Sequence, residues 1–208
     1  MRLLLSNDDG VLAHGLSCLE RAARQLGDVY VVAPDREQSA TSHSLTLHHP
    51  LRPIQLEESR WQVDGTPTDC VMLAIEALMP DRPDWVLSGI NHGPNMGEDV
   101  LYSGTVAAAM EGLSLGVPAI AVSYAGRLMR TDESPLDDQV DSLAKLLAHL
   151  TSLPDFPKHT LLNVNLPPIP SGDVKGVRLT RLGRPAFSDS PANMKAPCGR
   201  PIYWNGGG

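Results

Sequence analysis

Short, mostly apolar runs recur along the chain at Leu3 to Leu5, Val29 to Ala33, Trp85 to Leu87, Ala119 to Val122 and Leu161 to Val164. Runs that are apolar without alternation suit strands covered on both faces. Helical spacing fills the intervals: Leu16, Leu19, Ala23 and Leu26 before a stop at Gly27, then Val71, Ile75 and Leu78. Two more helices are predicted at about Thr105 to Leu115, before Gly116, and at about Asp137 to Leu150, with Leu143, Leu146, Leu147 and Leu150 on one face. Strand and helix in alternation predict right-handed βαβ units, and so an α/β fold built on a doubly wound, mostly parallel sheet.

Two regions break that rhythm. Residues 44–63, with Leu45, Leu47, Leu51, Ile54, Leu56, Trp61 and Val63 among two prolines, read as extended chain, a β-hairpin arm leaving the main sheet. After Pro167 the chain turns proline- and glycine-rich, with one strand candidate at Val174, Val177 and Leu179, and the stretch Pro185 to Gly208 buries little by itself. The division expected is a catalytic α/β domain over 1–166 and a C-terminal extension over 167–208 that serves oligomerisation. A length of 208 residues fits one domain with an appendage.

In doubly wound sheets ligands bind beyond the carboxyl ends of the strands. Polar clusters follow the apolar runs there: Ser6-Asn7-Asp8-Asp9-Gly10, Pro34-Asp35-Arg36-Glu37-Gln38-Ser39, Ser88-Gly89-Ile90-Asn91-His92-Gly93-Pro94-Asn95 and Ser123-Tyr124. Adjacent Asp8 and Asp9 repel one another, which suggests a cation beside them. With Ser39 and Asn91 from neighbouring strand ends the donors would all be oxygen, a set that selects magnesium, manganese or calcium over zinc. A solvated turn capping the next helix would show the same Asn-Asp-Asp-Gly. Ser103, Gly104 and Thr105 stand before the helix-forming Val106 to Glu111, where free N–H groups and the helix dipole favour an anion, although plain N-capping uses the same residue types. His92, between Asn91 and Gly93, is expected to line the site, with His43 as a second lining residue. Thr68 is expected to cap the Val71 helix, with Cys70 in the core.

Seventeen basic against 24 acidic residues leave a net charge of −7, which argues against a nucleic-acid duplex or an anionic membrane as partner. An anionic substrate would need a local positive device, and a hard cation together with a helix N-terminus would supply one. Three scattered cysteines without a Cys-x-x-Cys pair suit a reducing cytoplasm, and three leucines at the start are too few for a signal peptide or membrane span. The chain has no phosphate-binding Gly-x-x-x-x-Gly-Lys loop, dinucleotide fingerprint, Gly-x-Ser-x-Gly elbow or His-Glu-x-x-His. A soluble cytoplasmic protein is expected.

Asn7-Asp8-Asp9-Gly10, Ala33-Pro34-Asp35 leading to Ser39, Gly65-Thr66-Pro67-Thr68-Asp69-Cys70-Val71, Ser88-Gly89-Ile90-Asn91, Asn95, and Tyr102-Ser103-Gly104-Thr105-Val106 with Glu111-Gly112 resemble, in order and spacing, the SurE (survival protein E) nucleotidase family. The match continues more loosely through Asn163-Val164-Asn165-Leu166-Pro167. The resemblance implies a Rossmann-like three-layer fold and a phosphomonoesterase, acid-phosphatase-like, that hydrolyses nucleoside 5′- and 3′-monophosphates with one divalent cation per subunit, magnesium or manganese. It implies Asp8, Asp9, Ser39 and Asn91 as metal ligands, with Asn95, Ser103, Gly104 and Thr105 on the phosphate. Asp8 or Asp9 would orient the water. The chain is expected to form a homodimer, with a tetramer as the further assembly. A non-catalytic nucleotide sensor, or a phosphatase of polyphosphate or sugar phosphates using the same centre, are the alternatives. His14 and His92 stand where many members carry small residues or proline.

Overall fold

The structure is a computed structural model that describes residues 1–126, 135–154, 156, 157, 159–183 and 192–204. Its strands are β1 (Arg2–Ser6), β2 (Asp28–Pro34), β3 (Pro53–Glu57), β4 (Arg60–Val63), β5 (Trp85–His92), β6 (Ala119–Tyr124), β7 (Leu161–Leu166), β8 (Ala192–Lys195) and β9 (Pro201–Trp204). The helices are α1 (His14–Ala23), α2 (Pro67–Leu73, continued by a wider turn to Leu78), α3 (Gly104–Ser114) and α4 (Val140–Thr151).

Seven strands join in the order β3-β4-β2-β1-β5-β6-β7, all parallel except β3. The central β1 needs apolar residues on both faces. Leu3 and Leu5 pack with Leu16, Leu19, Leu143 and Leu147 of α1 and α4, while Leu4 faces Val71, Val106 and Ala109 of α2 and α3. Two helix layers on one sheet make the three-layer, doubly wound architecture. The chain leaves β1 towards β2 and β4, then returns to β5 on the other side. The strand order therefore reverses between β1 and β5, where a crevice opens.

Three local expectations are corrected. The 53–63 hairpin forms but does not leave the sheet: β4 pairs in parallel with β2, from Val31↔Arg60 to Pro34↔Val63, because β2 would otherwise present an open edge. The α2 cap is Thr66, not Thr68. Pro67 occupies the first helical position, where its missing N–H costs nothing, so the cap is the residue before it, two positions earlier than expected. Thr66 Oγ1 accepts from Asp69 N at 3.1 Å while Asp69 Oδ2 accepts from Thr66 N at 2.8 Å, a reciprocal capping box. The strand expected at Val174 to Leu179 is absent, with Val177 and Leu179 respectively 75% and 93% exposed. Instead β8 and β9 form a separate antiparallel hairpin. The part of the last segment from Pro185 to Pro191 lies outside the described residues.

Candidate active site

At the β1–β5 reversal lies a cleft of about 280 Å³ lined by Asp8, Asp9, Glu37, Ser39, Ala40, Asn91, His92, Asn95, Asp99, Tyr102 and Ser103. Two backbone features shape it. The β5–β6 register slips between Ser88 and Asn91, where Gly89 has a φ of +131° and follows so closely beside β6 that a Cβ would strike the Val122 carbonyl. The slip lies immediately before Asn91 and so sets its place at the strand end. On the far wall the first turn of α3 presses onto Asp8: a Cβ on Gly104 would lie 2.7 Å from Asp8 Cβ and 2.9 Å from its Oδ2. Only glycine permits that approach.

Asp8 is 4% exposed. Burial, foremost, and the neighbouring Asp9 charge push its pKa from the ordinary 3.8 up to about 6, against the Thr105 hydroxyl, which donates to Asp8 Oδ1. Asp9 is half-buried and also raised, first by burial, with the His92 backbone N–H donating to its Oδ2 at 3.1 Å in the opposite sense. Asn91 is oriented by its own amide: Nδ2 donates to the Gly93 carbonyl at 2.8 Å, and Oδ1 lies 3.2 Å from the Thr105 hydroxyl. Thr105 Oγ1 thus lies within reach of acceptors on both strand ends. Ser39 is exposed on the opposite lip and donates to Glu37 Oε1 at 2.7 Å. Asp8, Asp9, Ser39 and Asn91 all line the one cleft, and all offer oxygen.

The α3 N-terminus reaches the same place. Ser103 caps the helix, its Oγ accepting from Val106 N at 3.1 Å. Gly104 and Thr105 are the first two helical residues, whose N–H groups have no carbonyl four residues back. Thr105 is buried beneath the cleft floor and its backbone, like its hydroxyl, faces the Asp8 carboxylate. Its side chain is thus placed to hold Asp8 more than to touch a ligand. Asn95, 6% exposed, donates through Nδ2 to Ser123 Oγ at 2.9 Å.

Residues 3–189 match the family model described as survival protein SurE. A 5′-nucleotidase SurE of Gemmatimonas aurantiaca is 72% identical over 208 residues, covering all of this chain and 82% of the relative. The chain belongs to the SurE family. A 5′-nucleotidase SurE of Coxiella burnetii is 49% identical over 206 residues, covering 99% of this chain and 78% of the relative. The crystal structure of SurE from Aquifex aeolicus superposes with a TM-score of 0.86 at 41% identity, covering 98% of this chain and 81% of that one.

Within this SurE chain one expected lining residue stands apart. His43 is not in the cleft wall; its Nε2 is 2.7 Å from Glu111 Oε2 on α3, so it fastens the 39–43 loop to that helix. His92 does line the cleft. Glu37, Asp99 and Tyr102 line it too, and the sequence reading missed them as site residues. Glu37 was legible as part of the cluster after β2 and Tyr102 as part of the α3 approach, whereas Asp99 sits in a short helical turn, Gly97–Leu101, with no signal of its own. A second cluster of metal-ligand types, His14, Cys18 and Asp137, lies away from the cleft. Arg21 already neutralises Asp137, and burial and then the Asp137 charge push the Cys18 thiol up to about 12, so it keeps its proton. That cluster ties α1 to the segment entering α4. Among the described residues no helix is long and apolar enough to cross a membrane.

Proposed function

We propose that this chain is a divalent-metal-dependent phosphomonoesterase that hydrolyses nucleoside 5′- and 3′-monophosphates in the β1–β5 cleft. The observation that carries the reading is the charge of the lining: four carboxylates, Asp8, Asp9, Glu37 and Asp99, and, among the described residues that line it, no lysine or arginine. A phosphomonoester dianion enters such a wall only with a cation. The donor set fits a hard divalent ion, magnesium or manganese: two carboxylates, a hydroxyl and an amide oxygen, with Asp8 held buried where a nearby positive charge would stabilise its ionised form. The 5′-nucleotidase names of the relatives support the substrate class.

Asp8, Asp9, Ser39 and Asn91 would hold the cation, whose chemistry when bound is to neutralise phosphoryl charge and acidify water. Thr105 keeps Asp8 oriented by its hydroxyl bond, and Asn91 is kept from rotating by its bond to Gly93. Asp9, the more accessible of the two aspartates, is the group we assign to orienting the attacking water. The Gly104 N–H and the Asn95 amide would stabilise charge developing on the phosphoryl oxygens. Residues 1–166 would carry this chemistry and 167–208 would serve assembly into a homodimer, with a tetramer as the further form. Leu47, Ile54, Tyr203 and Trp204 are 78%, 54%, 67% and 67% exposed, apolar area that a second subunit would cover. We assign the protein to the cytoplasm.

A phosphate-release screen with manganese or magnesium across nucleoside 5′- and 3′-monophosphates, sugar phosphates and polyphosphate tests the reading. Turnover of at least one nucleoside monophosphate is expected. Retention of a mononucleotide without orthophosphate would make the protein a sensor, and turnover confined to sugar phosphates or polyphosphate would overturn the substrate assignment.

A further inference from the structure

The edge strand β7 reads Leu161-Leu162-Asn163-Val164-Asn165-Leu166. Its two asparagines, two residues apart, share one face, and both reach the backbone of Asn95. Asn165 Oδ1 accepts from Asn95 N at 3.0 Å, and Asn165 Nδ2 donates to the Asn95 carbonyl, also at 3.0 Å. Asn163 Nδ2 donates to that same carbonyl at 2.8 Å. Three side-chain hydrogen bonds therefore hold both backbone polar groups of one residue. A fourth, from Asn95 Nδ2 to Ser123 Oγ on the neighbouring β6, fixes the side chain itself.

The arrangement is a poor choice for folding alone. Asn163 Oδ1 is buried without a hydrogen-bond partner among the described residues, and an unsatisfied buried carbonyl destabilises. An apolar residue at 163 would continue the run and avoid that cost. What the asparagines achieve is to fix Asn95, a residue on a loop that has no ladder of its own, as rigidly as if it were in the sheet. A hydrogen-bond donor aimed at a developing charge is effective only when held in place beforehand.

We infer that Asn165 and Asn163 are positioning residues that act through Asn95, locking its backbone so that its side-chain amide is presented to the phosphoryl group. This rests on the reading that Asn95 faces the phosphate. Neither asparagine is itself a cleft residue.

A double-mutant cycle on the full chain with saturating manganese and a nucleoside monophosphate tests it: Asn95→Ala, Asn165→Ala and the double variant, with kcat and KM measured for each. Asn95→Ala should lower kcat by ~10²-fold, as loss of a charge-stabilising donor does. Asn165→Ala should lower kcat by roughly 10-fold with KM within about 2-fold, and should cost nothing further once Asn95 is alanine. Asn163→Ala, which removes one bond of the three, should fall between wild type and Asn165→Ala, and takes its place in the cycle if Asn165→Ala does not fold. Effects of Asn165 and Asn95 that simply multiply, or Asn165→Ala at the wild-type rate beside an impaired Asn95→Ala, would overturn the clamp and leave Asn95 in the site. Asn95→Ala at the wild-type rate would remove Asn95 from the site and the clamp with it.

Discussion

Asp8→Asn should make the metal-free protein more stable than wild type at neutral pH while abolishing its activity. Asp8 carries a burial penalty that the Thr105 hydroxyl offsets only in part, and its pKa rises from 3.8 to about 6 in the folded chain. A carboxyl whose folded pKa is raised binds protons more tightly in the native state. Its contribution to stability is therefore fully present below pH 3.8 and is lost as the pH rises through about 6. Two pKa units correspond to ~3 kcal/mol at 1.36 kcal/mol per unit. Asparagine does not titrate, so the stability difference between variant and wild type should grow by that amount between about pH 4 and pH 7. At ~2–4 °C per kcal/mol for a chain of this size, the melting-temperature gap should widen by roughly 6–12 °C. Calorimetric melting in excess chelator across that range measures it, beside phosphate release with metal restored, which should fall by at least ~10²-fold. A gap that stayed flat with pH would refute the buried-carboxylate argument. An Asp8→Asn protein that unfolded but kept its specific activity in the surviving fraction would return Asn7-Asp8-Asp9-Gly10 to a turn-and-cap role.

Gly104→Ala should cut kcat by at least ~10-fold, because its methyl group would press on Asp8 Cβ and Oδ2, and steady-state kinetics at saturating metal reads the loss. Thr105→Val removes the hydroxyl that lowers the Asp8 pKa, so kcat/KM should fall and the acid limb of its pH profile should move to higher pH. Light scattering during size exclusion should give twice the 22.4 kDa chain mass, or a multiple of it, and an active monomer would show that Tyr203 and Trp204 need no second subunit.

The sheet was legible because β1, β2, β5 and β6 are buried on both faces and so read as unbroken apolar runs, and the reversal between β1 and β5 then points to the strand ends that carry Asp8, Asp9 and Asn91. What stayed hidden depends on pairing across distance. Nothing local at 60–63 states that Arg60 to Val63 will line up beside Val31 to Pro34, so the hairpin read as an arm. The apolar residues at 174–179 have strand-like spacing but remain in solvent, since pattern alone does not supply a partner strand. At the site, Ser103 and Thr105 looked alike as phosphate contacts. Their difference, one capping the helix and the other buried under Asp8, arises only when α3 docks on β1. Asp99 entered the cleft wall through a turn whose geometry no motif announces.

The central claim is that this acidic cleft hydrolyses a nucleoside monophosphate only through a bound divalent cation. Phosphate release from such a substrate, measured before exhaustive chelation, after it, and after adding back magnesium or manganese, addresses that claim directly. The account predicts clear release, then none, then recovery with either of those ions. Undiminished release from the fully chelated protein would contradict it, since four carboxylates without a cation would repel the substrate they are proposed to hold.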